Sequence, residues 1–364
     1  MKIAILPRSG LFCEGGTGTY LQNIVPHLPS LGYKVTIYTT LSKKHEKNFF
    51  SNVEYITVKG NHTSVKDRVD LATRQANDVV KRDFDIVNIH YPAAALMADK
   101  IKNSGKKVVV THHGSQVIAK SALEPLGKYY YYLYKKALKN VDAVVIHNKK
   151  IAEIYKKEGI KSIYFQNQGT VIKNKVKGKS FLLKIGLEPK RYILFLGKIR
   201  KSKGVDFLIA AYNKSKVKMP LVIAGGCEYE PEFYKKIKKS APPGAKFVGE
   251  ILGKEKDIFI SNSYFLVNPI RSGALSLSAL EAMGMGVCVL NGKDANYHKI
   301  IREHTFLFKN EDEGSLACAI KHLISNKSLV EKIGKDAQKF AKKNHKWEDI
   351  INLYDKIFQR LDIN

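Results

Sequence analysis

Four basic side chains directly follow a short apolar run, in a pattern that suits the binding of a diphosphate. They are Lys198, Arg200, Lys201 and Lys203, and the run before them is Tyr192–Leu196, a predicted buried strand. Cations that converge at the carboxyl end of a strand, between walls of low dielectric constant, concentrate positive potential. The pattern G-x-x-x-x-G-K-[ST] of a P-loop does not occur. The alternative interpretation is a solvated basic loop.

A second loop of small residues leads into a predicted helix that carries one acid. The loop is Pro269–Ser276, and the helix Leu277–Met283 contains Glu281. Backbone N–H groups are free at a helix start and the dipole is positive there, so this end suits a phosphate. Glu281 lies just beyond the first turn, where its carboxylate can accept hydrogen bonds from sugar hydroxyls. The alternative is an ordinary strand–helix–strand unit with a solvated glutamate.

Consecutive glycines follow the first apolar run of the chain. Gly15 and Gly16 are followed by Thr17 and then by a helical pattern. Glycines let a backbone approach a ligand closely, and the helix offers free N–H groups. Pro26 and Pro29 are expected to end this helix early. Because the spacing is not G-x-G-x-x-G, a dinucleotide site is not indicated, and a flexible turn is the alternative.

Histidines stand at the ends of two predicted strands. His112 and His113 are adjacent at the end of one strand, and His90 ends another. Adjacent residues of a strand point to opposite faces, so His112 and His113 are not expected to bind one metal. One of the two is expected in the core, and the other, His113, is a candidate for substrate contact. Neither a zinc spacing nor a G-x-S-x-G motif occurs.

A predicted helix over 126–139 alternates tyrosines with lysines. Aromatic rings at headgroup depth and ammonium groups on anionic lipid are typical of a helix that lies on a membrane surface. The alternative is a partly buried amphipathic helix. The candidate membrane or acceptor contacts are Tyr129, Tyr130, Tyr132, Lys135 and Lys136.

Composition limits the classes of function. The chain has 364 residues, a net charge of +29 and 44% hydrophobic residues, which predicts two domains with large cores. No apolar run reaches the roughly 18 residues of a membrane span. The four cysteines lack a CxxC spacing, which favours a reduced, cytosolic protein. The lysines are spread along the chain and no nucleic-acid-binding motif is present, so a nucleic-acid partner is not favoured.

Apolar runs alternate with helical patterns, which predicts parallel sheets covered by helices on both faces. We therefore expect an α/β protein with two doubly wound, Rossmann-like domains whose strand ends face a central cleft. Val171–Pro189 is interpreted as the linker, and residues 347–361 as a packed terminal helix. The predicted strands are Lys2–Leu6, Lys34–Thr39, Tyr55–Val58, Asp85–His90, Lys107–Thr111, Ala143–His147, Ser162–Phe165, Tyr192–Leu196, Leu221–Ala224, Lys246–Val248, Tyr264–Val267, Val287–Leu290 and Thr305–Phe308.

Together these motifs resemble the family 4 glycosyltransferases, a retaining family with the GT-B fold, over nearly the whole chain. Each motif is loose by itself, but the ordered set is specific. The resemblance implies an acceptor-binding domain over 1–172, a nucleotide-sugar-binding domain over 173–346, and a helix over 347–364 that crosses back to the first domain. The similar segments are Gly15-Gly16, Thr111–Gly114, Gly197–Gly204, Leu221–Gly226, Phe247–Ile251, Leu280–Val289 and Trp347–Tyr354.

The resemblance also implies roles for the matching residues. Lys198 and Lys203 would hold the donor diphosphate and His113 would contact the donor sugar, which makes these three the candidate catalytic residues. Glu281 would bind the ribose, and Ile251 would meet the base through its backbone. Such enzymes usually need neither metal nor cofactor, because lysines and helix ends neutralise the leaving diphosphate. The remaining donor contacts would be Gly15, Gly16, Thr17, Leu275, Ser276, Leu277 and Ser278.

The chain departs from the family pattern at two places. The family's Asn-Gly after the seventh strand is changed to Asn167-Gln168-Gly169, and the other departure concerns a carboxylate. The family has two glutamates in the spacing E-x7-E, and counting back from Glu281 places the first at Gly273. That carboxylate normally lies beside the donor sugar, and losing it removes several kcal/mol of transition-state stabilisation. Altered donor specificity, a substitute residue and loss of turnover are the three possible outcomes.

The expected function is therefore retaining transfer of a sugar from a UDP- or GDP-sugar to a hydroxyl acceptor. The acceptor is expected to be lipid-linked or a glycan of an envelope pathway. The tyrosine-rich helix favours a cytoplasmic protein that associates peripherally with anionic membrane. Two alternatives stay open: a catalytically weakened GT-B protein that binds nucleotide sugar or scaffolds a partner, and a basic nucleic-acid-associated protein.

Overall fold

The computed structural model contains two α/β units, each built on its own parallel sheet. The N-terminal unit comprises Met1–Gly169 and Trp347–Asn364, and the C-terminal unit comprises Thr170–Lys346. The division lies close to the predicted boundary at residue 172, and the roles predicted for the two parts stay predictions. The structure describes residues 1–8, 16–40, 50–60, 64–113, 125–173, 176–227, 230–271, 275–293 and 303–363.

Among the described residues, the sheet of the N-terminal unit has seven strands in the order β3-β2-β1-β4-β5-β6-β7, all paired in parallel. The central strand β4 is buried along its whole length, which explains its nearly continuous apolar sequence. The seven strands are β1 (Lys2–Leu6), β2 (Lys34–Thr39), β3 (Val53–Thr57), β4 (Ile86–Ile89), β5 (Lys107–His112), β6 (Ala143–Ile146) and β7 (Ile163–Phe165).

The described part of the C-terminal unit forms a sheet of six parallel strands in the order β10-β9-β8-β11-β12-β13. Each strand of both sheets overlaps one predicted from the sequence, which confirms the doubly wound α/β class. The strands are β8 (Ile193–Leu196), β9 (Leu221–Ala224), β10 (Ala245–Gly249), β11 (Phe265–Asn268), β12 (Val289–Lys293) and β13 (Phe306–Lys309).

Helices cover the two sheets, and polar side chains cap several of them. The Ser64 and Asp67 side chains form a reciprocal capping box at the start of α2. Asp312 caps α12 by accepting from the backbone N–H of Ser315. The helices are α1 (Gly16–Ile24), α2 (Val65–Val79), α3 (Pro92–Ala95), α4 (Ala98–Lys102), α5 (Pro125–Asn140), α6 (Lys149–Lys157), α7 (Lys179–Lys184), α8 (Val205–Ser215), α9 (Pro231–Ser240), α10 (Gly253–Asn262), α11 (Leu277–Gly284), α12 (Glu313–Ser325), α13 (Lys327–Asn344) and α14 (Trp347–Ile363).

Two local predictions, the end of α1 and the packing of the terminal helix, agree with the structure. Helix α1 ends at Ile24, and short 3-10 turns containing Pro26 and Pro29 follow it, as expected for residues that cannot continue an α-helix. Helix α14 buries Tyr354 and Phe358 within the N-terminal unit. The hydroxyl of Tyr20 donates to that of Tyr354 at 3.1 Å, so α14 is joined to α1 by a buried hydrogen bond.

The interpretation of Val171–Pro189 as a linker is wrong. This segment contains α7, and Leu182 and Leu187 are buried in the core of the C-terminal unit. Ser261 and Asn262 of α10 hydrogen bond to the backbone of Val176, which fixes the preceding coil. The lysines of the segment obscured its two core positions, and the two lysines of α7, Lys179 and Lys184, are exposed.

Candidate functional site

The basic loop that follows β8 is held closely against its neighbours. Gly204 has the left-handed φ of 72°, and a Cβ built there would lie 2.0 Å from the carbonyl oxygen of Pro269. Arg271 Nε donates to the carbonyl oxygen of Lys201 at 3.1 Å. The loop after β8 and the loop after β11 therefore pack together at the carboxyl edge of the sheet, where glycine at 204 permits the approach.

Lys203 is a partly buried cation that has no acidic partner among the residues the structure describes. Burial, together with the nearby charge of Arg200, lowers the pKa of Lys203 from its usual value. A charge removed from water without a counter-ion is unfavourable unless a ligand of opposite charge joins it. The local electrostatics therefore favour an anion beside Lys203.

Lys198 differs from Lys203 because an acid already pairs with it. Its Nζ lies 3.1 Å from Oε1 of Glu250, and its side chain is only 13% exposed. Glu250 immediately precedes Ile251, which is buried and follows β10. The ion pair therefore joins the predicted diphosphate loop to the predicted base-binding residue.

The start of α11 is anchored by two serines. Ser276 Oγ accepts from the backbone N–H of Ala279 at 3.1 Å and so caps the helix. Ser278 Oγ donates to the carbonyl oxygen of Leu196 at 2.6 Å, which holds the helix start against the end of β8. Leu275 and Leu277, the flanking predicted contacts, are partly exposed. The sequence thus brings the start of α11 beside the basic loop.

Glu281 is not a solvated side chain of an ordinary helix. Its carboxylate lies 2.6 Å from Lys256 Nζ of α10, and its side chain is 12% exposed. The pair is therefore shielded from water more than most surface ion pairs are. A carboxylate held in place by one lysine has lone pairs left to accept from hydroxyl groups.

In the N-terminal unit, α1 begins at Gly16 and continues through Thr17, as predicted. Gly15, Gly114 and Gly273 lie outside the described residues, so neither the start of the glycine motif nor the departure from E-x7-E has a structural account. Gly16 is exposed and Thr17 is partly buried. Of the donor contacts predicted in this motif, Gly16 and Thr17 are therefore the ones that lie among the described residues.

His113 and His112 face opposite sides of the sheet, as the strand geometry predicts. His112 is buried, and its Nδ1 lies 3.0 Å from the hydroxyl of Tyr134. His113 is partly exposed, and its Nε2 lies 2.8 Å from Nδ1 of His90. Tyr20 packs edge-on against His113, with ring centroids 4.7 Å apart. His112 is therefore the core histidine, and His113 lies in a polar cluster at the strand end.

Two side chains of this cluster were missed. His147 follows β6, and its Nδ1 lies 2.9 Å from the carbonyl oxygen of Gln166; Tyr20 lies on α1. His147 stands at a strand end, as His90 and His113 do, so the order of adjacent parallel strands was a usable signal. Glu250 and Lys256 were also missed, and no spacing in the sequence indicated their pairing.

The tyrosine-rich helix α5 is amphipathic, with some of its tyrosines buried and others exposed. Tyr134 is buried in the core, whereas Tyr129 is 62% and Tyr132 is 59% exposed. Lys135 Nζ pairs with Glu158 Oε1 at 2.9 Å and lies over the ring of Tyr131. Lys135 is thus already paired within the protein.

Tyr130 and Lys136 complete the predicted surface of α5. Burial raises the pKa of the Tyr130 hydroxyl to about 12. Lys136 is exposed. The exposed part of the surface therefore consists of Tyr129, Tyr132 and Lys136.

The described residues form neither a membrane-spanning helix nor a metal-binding cluster. None of their helices combines the length and apolar character that crossing a bilayer requires. Likewise, the described parts of the chain contain no group of three or more histidine, cysteine, aspartate or glutamate side chains arranged to hold a metal ion.

Both halves of the chain match family models. Residues 14–172 match the model "Glycosyltransferase Family 4", and residues 183–340 match "Glycosyl transferases group 1". An uncharacterised glycosyltransferase of Methanocaldococcus jannaschii is 26% identical over 319 residues, which cover 78% of this chain and 77% of that protein.

Solved structures show the same fold. Sucrose-phosphate synthase from Thermosynechococcus elongatus has a TM-score of 0.85 at 16% identity, covering 100% of this chain and 99% of that one. Anabaena HepE in complex with UDP and glucose has a TM-score of 0.79 at 14% identity, covering 99% of this chain and 100% of that one.

Proposed function

The chain belongs to the family 4 glycosyltransferases and has their GT-B fold, and from this we propose that it is a retaining enzyme that uses a nucleotide diphosphate sugar. The sugar would pass from a UDP- or GDP-linked donor to a hydroxyl acceptor. A lipid-linked molecule or a glycan of an envelope pathway is the proposed acceptor. The structure of HepE with UDP and glucose, a protein of the same fold, supports a uridine donor.

The observation that carries this proposal is the position of Lys203. It is a partly buried cation with no acidic partner among the described residues, and it lies in the loop that packs against the loop after β11. A diphosphate would supply the missing negative charge. Lys198 would join it by exchanging Glu250 for a phosphate oxygen, and the N–H groups at Leu277 and Ser278 would add hydrogen bonds.

The proposed reaction exchanges one bond at the anomeric carbon for another. The bond between that carbon and the diphosphate oxygen breaks, and its electron pair leaves with the diphosphate. The acceptor hydroxyl oxygen bonds to the same carbon on the same face, and its proton passes to the departing diphosphate. Lys198 and Lys203 would stabilise the charge that develops on the diphosphate, and His113 would contact the transferred sugar. We propose no metal or cofactor in these steps.

Glu281 is proposed to bind the ribose of the donor. Its carboxylate is held by Lys256 and has lone pairs left for the 2′ and 3′ hydroxyls. Ile251 is proposed to meet the base through its backbone, because its side chain is buried. Donor recognition would then involve β10, α10 and α11 of the C-terminal unit.

Nucleotide binding tests the proposal directly. We expect UDP or GDP, and their sugars, to raise the melting temperature of the protein, because a ligand that binds only the folded state stabilises it. Glu281→Gln is expected to weaken UDP binding about tenfold while changing the binding of 2′-deoxy-UDP much less. Titration calorimetry of both nucleotides on both proteins measures the difference.

Leu252→Ser, at an exposed side chain of the same region, is the matched control and should bind both nucleotides like the parent protein. No binding of any nucleoside diphosphate would contradict the proposed function. Equal weakening of the ribo- and deoxyribonucleotide would contradict only the role of Glu281. Binding without transfer to any acceptor would favour a non-catalytic GT-B protein, the alternative that Gly273 keeps open.

We propose that the exposed part of α5 contacts anionic membrane and so brings the enzyme to a lipid-linked acceptor. Tyr129, Tyr132 and Lys136 present two rings and one ammonium group on one exposed surface. Tyr129→Ser with Tyr132→Ser is expected to reduce binding to phosphatidylglycerol vesicles roughly tenfold. Sedimentation with vesicles measures it, and Leu252→Ser is again the control. Unchanged sedimentation of the double variant would rule out this surface.

A further inference from the structure

Three histidines lie at the ends of three neighbouring strands of the N-terminal sheet. His90 follows β4, His113 follows β5 and His147 follows β6, and these strands pair in that order. Centroids of the His90 and His113 rings are 5.1 Å apart, and those of His113 and His147 are 6.1 Å apart. His113, the proposed sugar contact, therefore has a histidine on each side.

The contact between His90 and His113 is a hydrogen bond between ring nitrogens. Nδ1 of His90 lies 2.8 Å from Nε2 of His113, and the two ring planes are only 25° apart. The centroid distance of 5.1 Å is close to the N–N distance plus two ring radii, so the rings meet edge to edge. One nitrogen must donate and the other must accept, provided that both rings are neutral.

The surroundings keep both rings neutral. Among the described residues, the groups that face His113 are His90, His147 and Tyr20, and none of them is an acid. His112, on the opposite face of the sheet, is not an acid either. Burial, followed by the neighbouring histidines, holds the pKa of His113 well below its usual value. Burial also lowers the pKa of His90 to about 3 and that of His147 to about 4. At neutral pH the bond between His90 and His113 thus contains a single proton.

The other nitrogen of His90 decides which ring donates. Nε2 of His90 is buried and has no hydrogen-bond partner among the described residues. If His113 donated, His90 would carry its proton on Nε2, which would leave a buried N–H unpaired. If His90 donates from Nδ1, only a lone pair is left unpaired at Nε2. Unpaired buried N–H groups are the rarer and less favourable case, so His90 is the donor.

We propose that His90 is a positioning residue that fixes His113 in the Nδ1–H tautomer, so that this N–H is directed at an oxygen of the donor sugar. The proposal rests on the proposed function for its substrate but not for the tautomer. His147 is held in the same way: a carbonyl oxygen can only accept, so Nδ1 of His147 must donate to Gln166.

The tautomer is measured by long-range ¹H–¹⁵N NMR of the full chain labelled at histidine, at neutral pH and without nucleotide. The signals of His113 are assigned by their loss in His113→Gln. The expected result is a protonated Nδ1 and an unprotonated Nε2. A protonated Nε2, or an imidazolium, would overturn the proposal. Because no ligand is added, this result is independent of whether the protein binds a nucleotide sugar.

Two variants at position 90 separate positioning from folding. His90→Leu removes the donor, so the Nδ1–H tautomer of His113 is no longer fixed and we expect both tautomers to be populated. We also expect a fall of about tenfold in kcat/KM for the nucleotide sugar and an acidic limb of the pH profile that moves to higher pH. The limb moves upward because His113 loses a neighbour that lowers its pKa. His90→Asn places an amide N–H near the former Nδ1 and should keep the parent tautomer and pH profile.

A loss of activity in both variants with unchanged pH profiles would indicate a structural role and contradict the proposal. If neither variant folds, the tautomer of His113 measured in the parent protein is the result that supports or overturns the proposal. If the parent has the expected tautomer but binds no nucleotide sugar, the proposed function fails and the assignment of His90 as donor stands.

Discussion

Lys203→Ala is expected to weaken binding of the nucleotide diphosphate, and to reduce turnover, by about two orders of magnitude. Lys203 is partly buried, and none of the acids among the described residues pairs with it. Removing it would leave the diphosphate beside Lys198, which is shared with Glu250. Titration calorimetry with UDP and GDP measures the affinity, and initial rates measure turnover.

Lys201→Ala is the matched control, because Lys201 lies in the same loop and is exposed. It removes the same formal charge and should change affinity less than threefold at physiological salt, since exposed charges are screened. Equal effects of the two variants would mean that the loop acts only through its net charge. That result would contradict a specific contact with Lys203.

The lowered pKa of Lys203 adds a dependence on pH. Burial disfavours the charged form in the free protein, whereas a bound diphosphate favours it. Binding should therefore take up protons at alkaline pH, and affinity should fall as pH rises through the lowered pKa. The parent protein should show this proton uptake in calorimetry in buffers of different ionisation enthalpy, and Lys203→Ala should not.

Gly204→Ala is expected to destabilise the C-terminal unit by about 3 kcal/mol or more. Its Cβ would lie 2.0 Å from the carbonyl oxygen of Pro269, and the backbone there has a φ of 72°. Both the clash and the left-handed backbone oppose any side chain at this position. The loop containing Lys203 would have to move away from Pro269, so nucleotide binding should weaken as well.

Gly253→Ala is the matched control, since its φ is 53° but no atom of the described residues lies within 4 Å of the added Cβ. It should lose only about 1 kcal/mol. Trp347 is the single tryptophan and lies in the N-terminal unit, so its fluorescence should report a transition that neither variant changes. Hydrogen exchange of C-terminal peptides reports the other unit. Equal losses in the two variants would show that the approach to Pro269 is unimportant.

The strands were predictable because their sequence signal is strong. Runs such as Leu221–Ala224 are buried at every position, and in a parallel sheet that burial requires nearly continuous apolar residues. α7 was not predictable, because Leu182 and Leu187 are the core positions of a segment otherwise rich in lysine. The helix has only six residues with its apolar residues consecutive, which is too short for a helical period to be recognised.

The sequence predicted which loops contribute residues to the candidate site, but it did not predict which side chains form ion pairs there. The loops after β8 and β11 could be placed together because both strands end at one edge of the sheet. The ion pairs of Lys198 with Glu250 and of Glu281 with Lys256 depend on side-chain directions that spacing does not specify. In α5, the alternative of a partly buried amphipathic helix describes the structure, in which Tyr134 is buried and Tyr129 and Tyr132 are exposed.

Helix α14 belongs to the N-terminal unit but is synthesised after the whole C-terminal unit. The hydroxyl of Tyr354 lies 2.5 Å from Thr111 Oγ1, two residues before His113, although 243 positions separate the partners. Residues 170–346 are translated in between, so the second unit can fold while the first still lacks its last helix. During that interval the surface that α14 will cover is open to chaperones and to aggregation. Slow translation over residues 347–363 would therefore lengthen the time for which this surface of the N-terminal unit is exposed, and would not affect the C-terminal unit in this way.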